Sequence, residues 1–112
     1  MKLSLKGKDF IAEQEWSKAE LQAAISLAIT LKKKFRLKQP TPYLLHQTLY
    51  LLFFFSSTRT RTSFEAAMDH LGGNSHDLTP DKLQIAHGDT PKEIGKILSA
   101  YGHGIAIRHC DW

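Results

Sequence analysis

Cysteine and long apolar segments are both scarce in this sequence. Cys110 is the one cysteine among 112 residues, which excludes an internal disulfide and is compatible with a reducing compartment. The apolar run Leu49 to Phe55 has seven residues, far short of the roughly 18 that would suggest a membrane span. Lys2, Lys6 and Lys8 are not followed by the apolar region of a secretory signal. We therefore expect a soluble, cytoplasmic chain with no membrane partner.

Metal-binding spacings are lacking too. His103, His109 and Cys110 lie close together, but no compact C-x-x-C or H-x-x-x-H pair accompanies them. We expect no metal site and no cofactor, and the surroundings of Cys110 give no support for a nucleophile.

The overall charge is basic, with a formal net charge of +4 and a pI near 9.3. This charge suits an anionic ligand, and it would also suit weak adhesion to nucleic acid. The basic cluster at residues 32–38 falls at the predicted end of a helix, where cations complement the helix dipole. We interpret that cluster as a solvated helix end and expect no nucleic-acid partner.

The segment Leu49 to Gly73 is predicted to form a buried strand, a polar loop and a helix in direct succession. The apolar run Leu49 to Phe55 fits a strand covered on both faces of a parallel sheet. Residues 56–61 then supply four hydroxyls and two guanidinium groups before a helix expected to begin near Thr62 and to stop at Gly72-Gly73. Backbone N–H groups, hydroxyls and Arg side chains at such a point favour a phosphate or a carboxylate. The simpler alternative is that Ser and Thr only cap the helix, with Arg59 solvated and Arg61 paired with Glu65.

The other predicted elements alternate between helix and strand. Ser17 and Glu20 form a capping box before an amphipathic helix that ends at the break of residues 39–42, and Thr90 to Glu93 begin another helix in the same way. Asn74 to Leu78 and Gly104 to Ile107 are expected to be strands, the second delivering Arg108 at its carboxyl end. This order predicts an α/β fold, a three-layer parallel sheet with helices on both faces. Ligands gather at the carboxyl ends of such strands, so one anion would reach both the polar loop and Arg108.

The polar loop also contains a specific sequence motif. Ser57-Thr58-Arg59-Thr60-Arg61, followed by Ser63-Phe64-Glu65, Ala67-Met68 and Leu71-Gly72, resembles the carbamoyl-phosphate signature of the aspartate and ornithine carbamoyltransferases. Phe55 and Ser56 depart from the acidic and small residues that the family commonly has there, which predicts a slightly altered start of the loop. The resemblance implies that the fold is a carbamoyl-phosphate-binding domain.

The resemblance implies a chemistry in which an amine attacks the carbonyl carbon of carbamoyl phosphate and phosphate leaves. Such a site must hold an anionic leaving group and stabilise a developing oxyanion. By resemblance, Ser57, Thr58, Arg59 and Thr60 bind the phosphate, while Thr60 and Arg108 also lie near the carbonyl oxygen and act in catalysis. Arg61 is expected to brace the helix instead.

A second segment extends the resemblance. Residues 84–90, QIAHGDT, are similar to the segment that in ornithine-type enzymes lends a Gln to the active site of the neighbouring subunit. Gln84 matches that residue, which implies a homo-oligomer, a trimer in this family. The alternative is that Gln84 is an exposed loop amide. Gln84 favours the ornithine type, the segment around residues 57–61 leans towards the aspartate type, and QIAHG also resembles carbamoyltransferase-like proteins whose amine substrate is unassigned. The acceptor is expected to be the amine of an amino acid such as ornithine, although the sequence does not identify it.

The resemblance covers nearly the whole chain, which we interpret as one domain over residues 1–112, but only the first part of the family's two-domain protein. We therefore expect a carbamoyl-phosphate-binding domain that is incomplete at its C-terminus, without the amino-acid-binding domain, and not competent in transfer by itself. The alternative function is a non-catalytic module that keeps the fold to bind anions or to assemble with a partner.

Overall fold

The computed structural model describes residues 4–54, 57–79, 82 and 88–109. The chain divides into two compact units, Met1–Pro40 and Thr41–Trp112. The first unit contains a short 3-10 helix, Glu13–Glu15, and helix α1, Lys18–Arg36. The second unit runs in the order β1 (Thr48–Phe53), α2 (Thr58–His70), β2 (Asn74–Asp77), α3 (Pro91–Tyr101) and β3 (Gly104–Arg108).

The predicted start of α1 is confirmed in atomic detail. The Glu20 amide donates to Ser17 Oγ at 3.1 Å, and the Glu20 carboxylate accepts from the Ser17 amide at 2.9 Å. These reciprocal bonds form a capping box, which satisfies backbone donors that the first helical turn leaves unpaired. Lys8 Nζ lies 2.6 Å from the other Glu20 oxygen, and its hydrogen bond lowers the pKa of that carboxyl group.

The second unit is built on a three-stranded parallel sheet in the order β2-β1-β3. The central strand β1 pairs Leu51 with Asp77 of β2 and Phe53 with Arg108 of β3. Because the strands are parallel, their carboxyl ends lie at one edge, from which the polar segment after β1 and the end of β3 both project.

Alternate residues of β1 pack against helices on opposite faces of the sheet. Phe53 meets Phe64 of α2 edge to face, with ring centroids 6.4 Å apart. Its neighbour Leu52 packs with Ile94 of α3, and both are buried. Since successive side chains in a strand point to opposite faces, α2 and α3 cover the two sides of β1. The predicted three-layer α/β architecture is confirmed.

Several boundaries differ from the sequence-based prediction. β1 runs from Thr48 to Phe53, β2 ends at Asp77, and β3 includes Arg108. Helix α2 begins at Thr58, four residues before the expected start near Thr62. The polar residues of the motif form the first helical turn. The N–H groups of that turn have no partner within the helix, so polar side chains such as Thr and Arg are tolerated there.

The predicted stop of α2 at the glycine pair is confirmed. Gly72 follows the C-cap Leu71 and has φ +85°, a conformation that favours glycine. A Cβ atom on Gly73 would lie 2.6 Å from Met68 Cε and 2.9 Å from the Leu44 carbonyl oxygen, so this close approach also requires glycine.

Within the described ranges, no helix is both long and apolar enough to cross a membrane. Most of the predicted polar loop at residues 79–89, with Gln84 and His87, lies outside the described residues, as do Phe55, Ser56 and Cys110.

Leu51 tests the core of the sheet because its side chain is fully buried in the middle of β1. We expect Leu51→Ala to lower the free energy of unfolding by about 2–5 kcal/mol, through lost apolar transfer and the cavity left behind. The matched control is Ile105→Ala in the adjacent strand, where the side chain is 44% exposed. Urea denaturation measures the free energy of unfolding of both variants. Equal losses of that free energy would contradict the assignment of Leu51 to the centre of the core.

Candidate functional site

The first turn of α2 lies directly after the central strand, at the carboxyl edge of the sheet. Ser57 is its N-cap and is 92% buried, being 8% exposed. The first helical hydrogen bond runs from the Arg61 amide to the Ser57 carbonyl at 3.0 Å. The amides of Thr58, Arg59 and Thr60 precede that bond and therefore have no acceptor within the helix. Three N–H donors and the positive end of the helix dipole are thus presented at one place.

The Ser57 hydroxyl makes no capping hydrogen bond to α2. Instead, it accepts a hydrogen bond from Arg108 Nη1 at 2.8 Å. The Arg108 backbone is also held, because its carbonyl accepts from the Phe54 amide at 3.0 Å. The two residues are 51 positions apart in the chain, and the pairing of β1 with β3 brings them together. The predicted meeting of the polar motif and Arg108 is therefore observed.

Arg59 supplies an exposed positive charge at this site. Its residue is exposed, as is Thr58, whereas Thr60 is partly buried. Among the described residues, the Arg59 guanidinium has no hydrogen-bonding or ion-pair partner. The Thr60 carbonyl accepts from Ser63 Oγ at 2.7 Å, which holds the turn without engaging the Thr60 hydroxyl. The arrangement offers two guanidinium groups, several hydroxyls and three amides to an anion.

Arg61 is oriented differently from Arg59. Its Nε lies 3.1 Å from Asp77 Oδ2, and its guanidinium carbon lies 5.5 Å from the centroid of the Phe53 ring. Arg61 therefore connects α2 to the end of β2 and to the ring of the central strand, as expected of a residue that braces the helix. Sequence reasoning missed Asp77 and named Glu65 as the candidate partner. The signal that could have identified Asp77 as the partner was an acidic residue near the end of the second predicted strand.

Two histidines outside the motif make contacts that hold the fold. His103 Nδ1 accepts from the Thr48 amide at 3.0 Å, at the amino end of β1 and so at the opposite edge from Ser57. The His109 ring packs edge to face on Phe54, with centroids 4.7 Å apart. Across the ranges that the structure describes, no group of three or more His, Cys, Asp or Glu side chains could hold a metal ion. Gln84, His87 and Cys110 lie outside those ranges.

The bond between Ser57 and Arg108 predicts a measurable coupling. Because the acceptor hydroxyl is buried and the donor is charged, the Ser57→Ala, Arg108→Ala double-mutant cycle should give a coupling energy of about 1–2 kcal/mol in unfolding experiments. Additive effects of the two substitutions would show that the hydrogen bond does not join the helix start to β3 in solution.

Residues 8–112 match the family model described as the carbamoyl-phosphate-binding domain of aspartate/ornithine carbamoyltransferase. The chain is 41% identical over 106 residues to the ornithine carbamoyltransferase of Halalkalibacterium halodurans, an alignment that covers 95% of this chain and 33% of the relative. It is 39% identical over 101 residues to that of Methanosarcina mazei, covering 90% of this chain and 33% of the relative.

Solved structures show the same similarity. The ornithine carbamoyltransferase from Pyrococcus furiosus superposes with a TM-score of 0.90 at 34% identity, covering 96% of this chain and 34% of that one. The aspartate transcarbamoylase from Trypanosoma cruzi in complex with carbamoyl phosphate has a TM-score of 0.85 at 31% identity, covering 94% of this chain and 34% of that one. The chain thus spans about a third of the length of the relatives it matches.

Proposed function

Because the chain belongs to the aspartate/ornithine carbamoyltransferase family through its carbamoyl-phosphate-binding domain, we propose that it binds carbamoyl phosphate between the first turn of α2 and Arg108. The observation that carries this proposal is the 2.8 Å hydrogen bond from Arg108 Nη1 to Ser57 Oγ. It places a guanidinium group beside a helix start whose amides face the same edge of the sheet. A doubly charged phosphate next to a carbonyl group matches that combination of donors.

Each residue of the motif has a distinct role in this proposal. The phosphate accepts hydrogen bonds from the first-turn amides, from the hydroxyls of Ser57, Thr58 and Thr60, and from the exposed Arg59 guanidinium. Arg59 adds a full positive charge to these hydrogen bonds, and its guanidinium group can bind two phosphate oxygens at once. Arg108 is anchored at the neighbouring strand end, from which it reaches the carbamoyl end of the same ligand.

The proposed reaction is transfer of the carbamoyl group to an amine, which we expect these 112 residues not to complete by themselves. The amine nitrogen forms a bond to the carbonyl carbon, the C–O bond to phosphate breaks, and the departing phosphate takes the proton that the nitrogen loses. Thr60 and Arg108 donate to the carbonyl oxygen as it becomes negative, and Arg59 with the helix start stabilises the departing phosphate. Groups that are already oriented towards the developing charge lower the barrier more than they stabilise the bound substrate.

We propose the amine of an amino acid, with ornithine as the favoured acceptor. Support comes from the solved structures, of which the ornithine carbamoyltransferase of Pyrococcus furiosus is 34% identical and the aspartate transcarbamoylase of Trypanosoma cruzi 31%, and from the relatives named ornithine carbamoyltransferase. The proposal includes assembly into a cytoplasmic trimer, with Gln84 supplied to the site of the neighbouring subunit. That role of Gln84 remains a prediction, since the residue lies outside the described ranges.

Arg59→Ala tests the phosphate site. We expect it to weaken binding of carbamoyl phosphate by roughly 10-fold to over 100-fold, since each lost charge-assisted hydrogen bond accounts for about 1.5–3 kcal/mol. Folding should be retained because the residue is exposed. Isothermal titration calorimetry measures the affinity, and Arg36→Ala at the exposed end of α1 is the control with the same change in charge.

An unchanged affinity in folded Arg59→Ala protein would refute the proposed phosphate site. Equal affinities of the unaltered chain for carbamoyl phosphate and for inorganic phosphate would instead favour the alternative function, a module that binds anions without carbamoyl transfer.

A further inference from the structure

The ion pair of Arg61 and Asp77 lies next to the proposed phosphate site but takes no part in it. The two side chains are 24% and 29% exposed, so the pair is more shielded from water than an ordinary surface pair. Asp77 ends β2 opposite Leu51 of the central strand, and the following amide, Leu78 N, donates to the Leu51 carbonyl at 2.8 Å. The pairing of β1 with β2 therefore fixes the position of the carboxylate.

Arg61 is held from a second direction by the central strand. Its guanidinium carbon lies 5.5 Å from the ring centroid of Phe53, which is 3% exposed and which also packs on Phe64 of α2. A cation over an aromatic face is attracted by the negative charge density of that face. The side chain of Arg61 is thus restrained by groups from two neighbouring strands.

The backbone of Arg61 connects its restrained side chain to the proposed phosphate site. Its amide makes the first helical hydrogen bond of α2, to the Ser57 carbonyl at 3.0 Å, and Ser57 in turn accepts from Arg108. A continuous series of contacts therefore runs from Asp77 through Arg61 and Ser57 to Arg108. The amides of residues 58–60 lie inside this series.

We propose that Arg61 and Asp77 are positioning residues, which hold the first turn of α2 at the angle and depth that its amides and Arg59 need to bind phosphate. This inference rests on the proposed function. In this arrangement Asp77, a negatively charged residue, increases the affinity of the neighbouring site for an anion.

That consequence separates positioning from a simple effect of charge. If Asp77 acted only through space, its removal would raise the local positive potential and strengthen phosphate binding. If Asp77 acts by holding Arg61, its removal weakens phosphate binding although the net charge becomes more favourable. Arg61→Lys makes the same distinction, because it keeps the charge but loses the planar guanidinium group that lies over the Phe53 ring.

The test is phosphate binding by Asp77→Asn and Arg61→Lys, measured by calorimetry with inorganic phosphate and with carbamoyl phosphate. We expect both variants to bind both ligands about 3- to 10-fold more weakly, the size of coupling found for a partly shielded ion pair. The control is Asp69→Asn, which makes the same charge change at an exposed position in the last turn of α2 and should not weaken binding.

Amide hydrogen exchange gives a second readout that does not depend on the ligand. In Asp77→Asn, exchange of the Arg61 amide should become faster, while the amide of Met68, a buried residue near the C-terminal end of α2, should keep its rate. A uniform acceleration along α2 would mean that the pair stabilises the whole helix and does not position its first turn, which overturns the inference.

Unchanged or tighter binding by Asp77→Asn would overturn the inference while leaving the proposed function intact. Failure of the unaltered chain to bind either ligand would refute the proposed function, and the exchange of the Arg61 amide would still decide whether Asp77 holds the first turn.

Discussion

Parallel pairing of the central strand with both of its neighbours is the constraint on which this site depends. Because β1 runs beside β2 and β3 in the same direction, the residues that end all three strands lie at one edge of the sheet. The three strands end at Phe53, Asp77 and Arg108. The hydrogen bond from Arg108 to Ser57 and the ion pair from Asp77 to Arg61 both start from that shared edge.

The two arginines of the motif, Arg59 and Arg61, have different surroundings and therefore different roles. Arg61 is engaged by a carboxylate and an aromatic ring, so its charge is largely balanced within the protein. Arg59, two residues earlier in the same turn, is exposed. Each residue turns an α-helix by about 100°, so residues two positions apart project about 200° apart, towards nearly opposite sides. One turn can therefore bind an anion with one side chain and attach itself to the sheet with another.

Local signals in the sequence predicted much of this arrangement. The capping boxes at Ser17 and Thr90 were correct because each depends on residues three positions apart. The position of Arg108 at the carboxyl end of its strand was correct because the run Gly104 to Ile107 leads directly into it. The start of α2 was wrong because polar residues suit both a loop and a first helical turn. The pairing of Arg61 with Asp77 was missed because it depends on the tertiary contact between α2 and β2, which no periodicity reports.

The central claim is that carbamoyl phosphate binds at the first turn of α2 beside Arg108. Titration of the ¹⁵N-labelled protein with carbamoyl phosphate, followed by NMR, tests it most directly. The account predicts that the amides of residues 58–60 and the Arg108 side chain shift together along one binding curve, while the basic end of α1 at Lys32 to Arg36 does not change. Shifts concentrated in that basic end, with the first turn of α2 unaffected, would contradict the account.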